Sequence, residues 1–347
     1  PAMLFYLDNW QSVDPNGPHP APAGPRGRGA LFARPGRAGG AFGLRVPMPL
    51  GRGPNAKQNP NAQRRGLNEN YGRELMELHT LGVDGGYTQQ DVINVARAFT
   101  GWTIEQPRMG GGFRYEPRFH DEGQKVVLGH VIEAGGGEAD GEQVLDILAS
   151  QPSTARFIST KLVRRFVSDN PPQALVDRAA ARFLETGGDV REVVRLIITS
   201  PEFFSAQAYR AKVKTPFEFV VSAVRALGVD VTNAQPFVAE VRQLGMPLYM
   251  CQPPTGYADR ADAWVNTGAL LARMNFALQM VGGRMRAIEP APESVVPSDS
   301  AEDVRSYLES AVLADDLSAV TSATIAKAAD PRQAAALTLG SPEFQRR

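Results

Sequence analysis

The chain has 347 residues with 37 basic and 37 acidic side chains, and this zero formal charge argues against nucleic acid as its main partner. The single cysteine, Cys251, excludes an internal disulfide framework, and no Cys/His spacing points to structural zinc. No apolar run approaches the roughly 20 residues of a spanning helix, so no membrane span is expected, and the length suffices for a substantial buried core.

Residues 2–10 read as a short apolar helix. From 11 to 66 Gly and Pro dominate, and Arg26, Arg28, Arg34, Arg37, Arg45, Arg52, Lys57, Arg64 and Arg65 face one acid, Asp14. Such a composition is expected as a long loop or disordered insertion. It serves either as a basic arm for an acidic partner or as a solubilising variable segment.

Residues 66–101 hold the densest set of ionisable side chains and read as helix, tight turn, helix. Asn68 caps the first helix, and Tyr71, Leu75, Leu78 and Leu81 make its apolar stripe while Asn70, Arg73, Glu74 and Glu77 take the other faces. Gly82 is a left-handed stop. Thr88 with Asp91 makes a variant capping box for the second helix, whose buried face is Val92, Val95, Ala96 and Phe99. Two short strand pairs follow, 103–105 with 112–115 and 125–128 with 130–132. They are expected to fold back over the two helices, bringing His120 and Asp121 near them.

The rest reads as helices at 141–150, 153–168, 172–186, 189–199, 215–227, 235–244, 259–281, 300–313, 317–328 and 331–339. The pentapeptides SPEFF at Ser200 and SPEFQ at Ser341 each follow a helix. They fit either a duplicated unit or shared helix-exit chemistry. The predicted fold is mainly α, a multi-helix bundle with a small antiparallel β element near residues 103–132. Its segments are a helical remnant (1–10), the Gly/Pro/Arg-rich insertion (11–66), the helix-turn-helix with the β element (67–134) and a helical domain (139–347).

The run NENYGRELMELHTLGVDGGYTQQDV followed by ARAFTGW resembles the signature of DUF1800, a bacterial family without an assigned activity. PAMLFYLDNWQS, FHDEGQKVVLG, PSTARFISTKLVRRFVSDNPP, TSPEFF, KTPFEFVVSAVRALG, PTGYADRADAW, ARMNFA and GSPEFQRR agree with it. The resemblance covers the chain from Pro1 to Arg347 and implies that it corresponds to the C-terminal two-thirds of a longer protein. It also implies export to the periplasm or the extracellular space. Members are often encoded beside a sulfatase-like family, DUF1501, which makes a DUF1501-type protein an expected partner.

Glu74 and Glu77, three apart on one helix face, and His79 make one constellation, to which His120 and Asp121 add partners. They are the candidate catalytic residues. Paired carboxylates suit acid/base work because repulsion or burial raises one of them; Glu74 also fits pairing with Arg73, Arg97 or an arginine from elsewhere, which would lock helices together. Glu77, His79, His120 and Asp121 also contain a divalent-metal donor set, without H-E-x-x-H or H-x-H spacing. Residues 80–91 have an EF-hand outline but lack its first acids and read as a turn. The lysine and arginines at 161, 164 and 165, with Lys212, Lys214 and Arg225 near Glu218, fit either an anionic-ligand site or internal ion pairs. Asn70, Arg73, Trp102, Tyr257, Trp264 and Arg273 are candidate ligand contacts, the aromatics fitting either a sugar platform or core packing. Two function classes remain: an exported hydrolase, conceivably acting on glycans through carboxylate/His chemistry, and a non-catalytic helical binding or assembly protein. No cofactor is specified by these motifs.

Overall fold

The computed structural model describes residues 2–17, 66–106, 109–228, 231–282 and 300–347. The basic part of the predicted insertion, 18–65, lies outside the described residues. The chain forms two compact units: Pro1–Leu75 with Tyr87–Ile147, and Met76–Gly86 with Leu148–Arg347. Among the described residues there are thirteen α-helices and two two-stranded antiparallel sheets, so the fold is mainly α. None of the described helices is long and apolar enough to cross a membrane.

In the first unit α1 (Ala2–Tyr6) stops earlier than the apolar run predicts. Asp8 turns left-handed and Asn9–Gln11 tighten into a 3-10 turn. The physical reason is Asn9, which is buried and whose amide nitrogen donates to the Phe99 carbonyl at 3.1 Å and that of Trp102 at 3.3 Å. With Asn9 so held, the left-handed backbone of Asp8 ends the right-handed helix. α2 (Glu69–Glu74) starts on the predicted cap, with Asn68 Oδ1 accepting from Tyr71 N at 3.1 Å. Its chain continues directly into a π-helical turn, Leu75–Thr80.

α3 (Gln89–Ala98) carries the predicted capping box, Thr88 and Asp91 each bonding the other's backbone N–H. It packs closely on α2 because Gly72 has no side chain: a Cβ there would lie 2.8 Å from the Val92 carbonyl oxygen. β1 (Trp102–Ile104) pairs with β2 (Phe113–Tyr115), Trp102 opposite Tyr115. β3 (Lys125–Val127) pairs with β4 (His130–Ile132) across Leu128 and Gly129, both at positive φ as a tight hairpin demands. As expected, this hairpin folds over α3: Asn94 Nδ2 donates to the Val126 carbonyl at 2.7 Å, and Leu128 N to Asp91 Oδ1 at 2.8 Å. α4 (Glu138–Ala149) follows.

In the second unit α5 (Pro152–Phe166), α6 (Gln173–Glu185) and α7 (Val190–Ile198) enclose Ala155, Val163, Leu175, Ala179, Val193 and Ile197. Their apolar residues recur at helical spacing, so each helix buries one stripe. A second core joins α8 (Pro216–Ala226), α9 (Gln235–Gln243), α10 (Thr267–Val281), α11 (Ala301–Tyr307, continued by a π turn Leu308–Val312), α12 (Ala319–Ile325) and α13 (Pro331–Gly340). Phe219, Phe276, Leu308 and Leu339 are its centre. The helix predicted from 259 begins only at Thr267, where Asn266 Oδ1 accepts from Ala269 N at 2.9 Å. A 3-10 turn, Ala261–Ala263, precedes it.

Candidate functional site

The first unit gathers its ionisable side chains around Thr100, in the turn between α3 and β1. His120 Nδ1 lies 2.8 Å from the Thr100 carbonyl oxygen. A carbonyl only accepts, so this contact assigns a proton to Nδ1. His120 Nε2 lies 3.1 Å from Asp140 Oδ2, at the start of α4, and hydrogen bonding there requires a second proton between the two atoms. The same Oδ2 receives Lys125 Nζ from β3 at 2.6 Å. Lys125 spends its other two donors on the carbonyls of Asp121, at 2.5 Å, and Gly123, at 2.8 Å. The side chains of His120, Lys125 and Asp140 are 0% exposed.

Asp121 points the other way. Its two oxygens take Arg97 Nε at 2.7 Å and Nη2 at 2.9 Å, a bidentate pair between α3 and the loop before the hairpin. Burial pushes the Asp121 carboxyl up, but the hydrogen bonds from Arg97 and Gly123 and the charges of Arg97 and Lys125 outweigh it and hold the group below its ordinary range. Thr100 Oγ1 donates to the Arg97 carbonyl at 2.6 Å and accepts from Asp121 N at 2.8 Å. Every donor of Lys125 and both oxygens of Asp121 are thus committed. Asp140 Oδ1 and the Tyr115 hydroxyl have no hydrogen-bond partner among the described residues. Burial, then the carboxylates of Glu122, Asp140 and Glu138, push Tyr115 up to about 12. Gly136 backs onto Asp140: a Cβ there would meet Oδ1 at 2.1 Å.

The five residues predicted as catalytic therefore divide. His120 and Asp121 come together with Arg97, Lys125 and Asp140 in the first unit. Glu74 also lies there, at the end of α2 and close enough to Tyr6 for its charge, after burial, to push that phenol up. Glu77 and His79 belong to the second unit, on the π turn. His79 is exposed, so the downward push on its imidazole from packing and then from Lys161 is largely screened by solvent. A π turn closes five residues back, so the three-residue spacing that stacks side chains on one α-helical face does not carry through it. Among the described residues no cluster of three or more His, Cys, Asp or Glu has the geometry of a metal site.

The predicted ligand contacts are mostly engaged in packing. Asn70 is exposed, and Arg73 joins α2 to α3 by donating to Gln89 Oε1 at 2.6 Å. Trp102 stands between Phe99 and Phe113, with ring centroids 4.9 Å from each. Tyr257 Oη donates to the Pro247 carbonyl at 2.5 Å, and Trp264 Nε1 to that of Ala258 at 2.8 Å, so both aromatics fasten their own loop.

Arg273 is 1% exposed inside the second unit. It lies beside an ion-pair hub that joins Arg165, Lys212 and Glu218, which the sequence offered as an anionic-ligand site or as internal ion pairs, to Asp169, Asp259 and Arg347. There Lys212 Nζ bonds Asp169 Oδ1 and lies 3.3 Å from Asp259 Oδ1. Arg165 reaches Glu218 at 2.7 Å and Asp259 at 3.3 Å, and Arg347 reaches Glu218 at 3.3 Å.

Lys125, Asp140, Thr100 and the Arg97–Asp121 pairing escape sequence reasoning, because a lysine in a strand and an aspartate at a helix start read as solvated. The one available signal is that α4 carries two acids, Glu138 and Asp140, in its first turn.

No curated protein and no solved structure matches this chain. The family described as "Protein of unknown function (DUF1800)" matches residues 1–346, and the chain belongs to it.

Proposed function

We propose that the protein is a non-catalytic binding or assembly protein, exported by its bacterium, with a DUF1501-type protein as its partner. The observation that carries this reading is the closure of the polar centre of the first unit. A general acid must reach a substrate atom within hydrogen-bond distance. His120, with a side chain 0% exposed, and Asp121, with both oxygens on Arg97, serve instead to fasten α3, α4 and the β3–β4 hairpin together. The test mixes the purified chain with a purified DUF1501-type protein from the same bacterium and follows association by titration calorimetry. A saturable complex is expected; no heat and no co-sedimentation overturns the partner. Fractionation of cells carrying the natural gene is expected to place the protein outside the cytoplasm.

One observation favours a second reading, a hydrolase in which Glu74 or Glu77 is the proton donor. π-helical turns are rare and concentrate at functional sites, and one such turn carries Glu77 and His79. Turnover of a glycan or ester by the purified chain, abolished by Glu77→Gln with the fold intact, would establish this reading and overturn the first.

A further inference from the structure

The charges of the second unit do not balance where they are most buried. In the hub, Arg165, Lys212 and Arg347 face Asp169, Glu218 and Asp259, three cations on three carboxylates. Glu218 has no capacity to spare. Its Oε2 accepts from Thr215 N at 2.9 Å and Thr215 Oγ1 at 3.1 Å, and its Oε1 takes Arg165 and Arg347. Arg210 is matched by Asp316 at 3.5 Å and by the Leu313 carbonyl at 2.7 Å.

Two cations remain. Among the described residues Arg273 donates to neutral acceptors alone, Gln345 Oε1 and the Lys214 carbonyl, each at 2.8 Å, and its guanidinium carbon lies 5.1 Å from the centre of the Phe219 ring. Lys214 Nζ lies 3.9 Å from the centre of the Phe344 ring, and no carboxylate pairs with it among the described residues. The Phe219 and Phe344 rings are themselves 6.0 Å apart and edge to face, so each cation sits on one member of a contacting aromatic pair. Arginine is almost never fully buried unless paired, and a desolvated charge without a counter-charge is costly. The strain is visible in both groups. Burial lowers Arg273 to about 10, which leaves it charged at neutral pH, and burial with the fields of Arg210 and Arg273 lowers Lys214 to about 8 against the opposing pull of Glu218.

We propose that Lys214 and Arg273 form a site for one small oxyanion group, a carboxylate or a phosphate, beside the edge-to-face pair of Phe219 and Phe344. Arg273 carries five N–H donors, two of which bond Gln345 and Lys214, in the planar fork that suits a two-oxygen acceptor. Lys214 adds a point charge and, being only half-buried, gives the ligand its way in. The site stands independently of the partner proposed above.

The experiment titrates the full purified chain with inorganic phosphate and, separately, with acetate, each against chloride at equal ionic strength, reading the thermal midpoint. A saturable rise is expected with at least one of them. Lys214→Met, which keeps the apolar stem over Phe344, is expected to weaken it about tenfold or more, as loss of a charge-assisted bond does. Lys214→Arg keeps it, and Lys327→Met, on an exposed residue outside the site, leaves it unchanged. A rise with phosphate alone or acetate alone names the group. No saturable rise with either, or one equal in wild type and Lys214→Met, overturns the proposal. Should Lys214→Met fail to fold, acylation of Lys214 in the wild type, followed by peptide mass spectrometry, decides: slowing by the same anion supports the site, and unchanged labelling overturns it.

Discussion

Replacing Lys125 with methionine tests whether the buried centre of the first unit is structural. Methionine keeps the apolar stem and removes the ammonium. Three bonds go at once: to Asp140 Oδ2 at 2.6 Å and to the carbonyls of Asp121 and Gly123 at 2.5 and 2.8 Å. Removing one member of a buried ion pair costs about 3–5 kcal/mol, because the remaining charge stays desolvated. For a unit unfolding with a slope of about 2 kcal/mol/M, that moves the urea midpoint down by roughly 2 M. The reading must isolate the first unit, which contains Trp10 and Trp102, from the second, which contains Trp264. Tryptophan fluorescence in a Trp264→Phe background does so. Lys125→Met combined with Asp140→Leu removes both charges, and the double variant is expected to cost at least about 1 kcal/mol less than the sum of the singles. A Lys125→Met cost below about 1 kcal/mol, or strict additivity, refutes the claim that this pair holds the unit together.

Three further outcomes follow from individual contacts. Gly141→Ala, which in an open helix stabilises, is expected to destabilise by about 1–3 kcal/mol in thermal unfolding, because its Cβ would lie 2.6 Å from the Trp102 ring. Asp121 has a depressed carboxyl, so its contribution is full above the unfolded-state value of about 3.9 and is lost as pH falls through the lower folded value. Asp121→Asn is therefore expected to flatten the acid limb of the stability curve, and an unchanged limb contradicts the Arg97 pairing. Lys214 has the opposite linkage. Between about 8 and its ordinary 10.5 the folded chain has lost a proton that the unfolded chain keeps, so stability rises with pH there. Lys214→Met removes that rise in chemical denaturation measured from pH 7 to 10.

Local chemistry made most elements readable from the sequence. Asn68 and Thr88 cap the helices that their spacing predicts, and Asp189 and Thr215, the predicted first residues of two more, cap those, because a cap is decided within four residues. Ser200 and Ser341 likewise turn the chain the same way, each hydroxyl accepting the N–H three residues on, which is the helix-exit chemistry that the repeated pentapeptide allows. Asp91 was legible as a capping residue but not as the acceptor for Leu128, a partner 37 positions away. The centre of the site was hidden for the same reason. His120 stood out as one of four histidines, yet its partners Thr100 and Asp140 each lie 20 residues distant and nothing local marks them. The π turn was invisible too, since Leu75–Thr80 carries an ordinary α-helical apolar stripe.

Asn9 has a kinetic consequence. Its two bonds join residues 90 and 93 positions apart, so the first unit cannot complete its core until a very long stretch of chain has closed on itself. The core of α5, α6 and α7 needs only consecutive helices meeting their neighbours. Folding slows as contacts become more distant in sequence, and closure entropy is lost before such contacts give anything back. In pulse-labelled hydrogen exchange the amides of α5–α7 should gain protection first, and those of α3 and β1, which wait for Asn9, last.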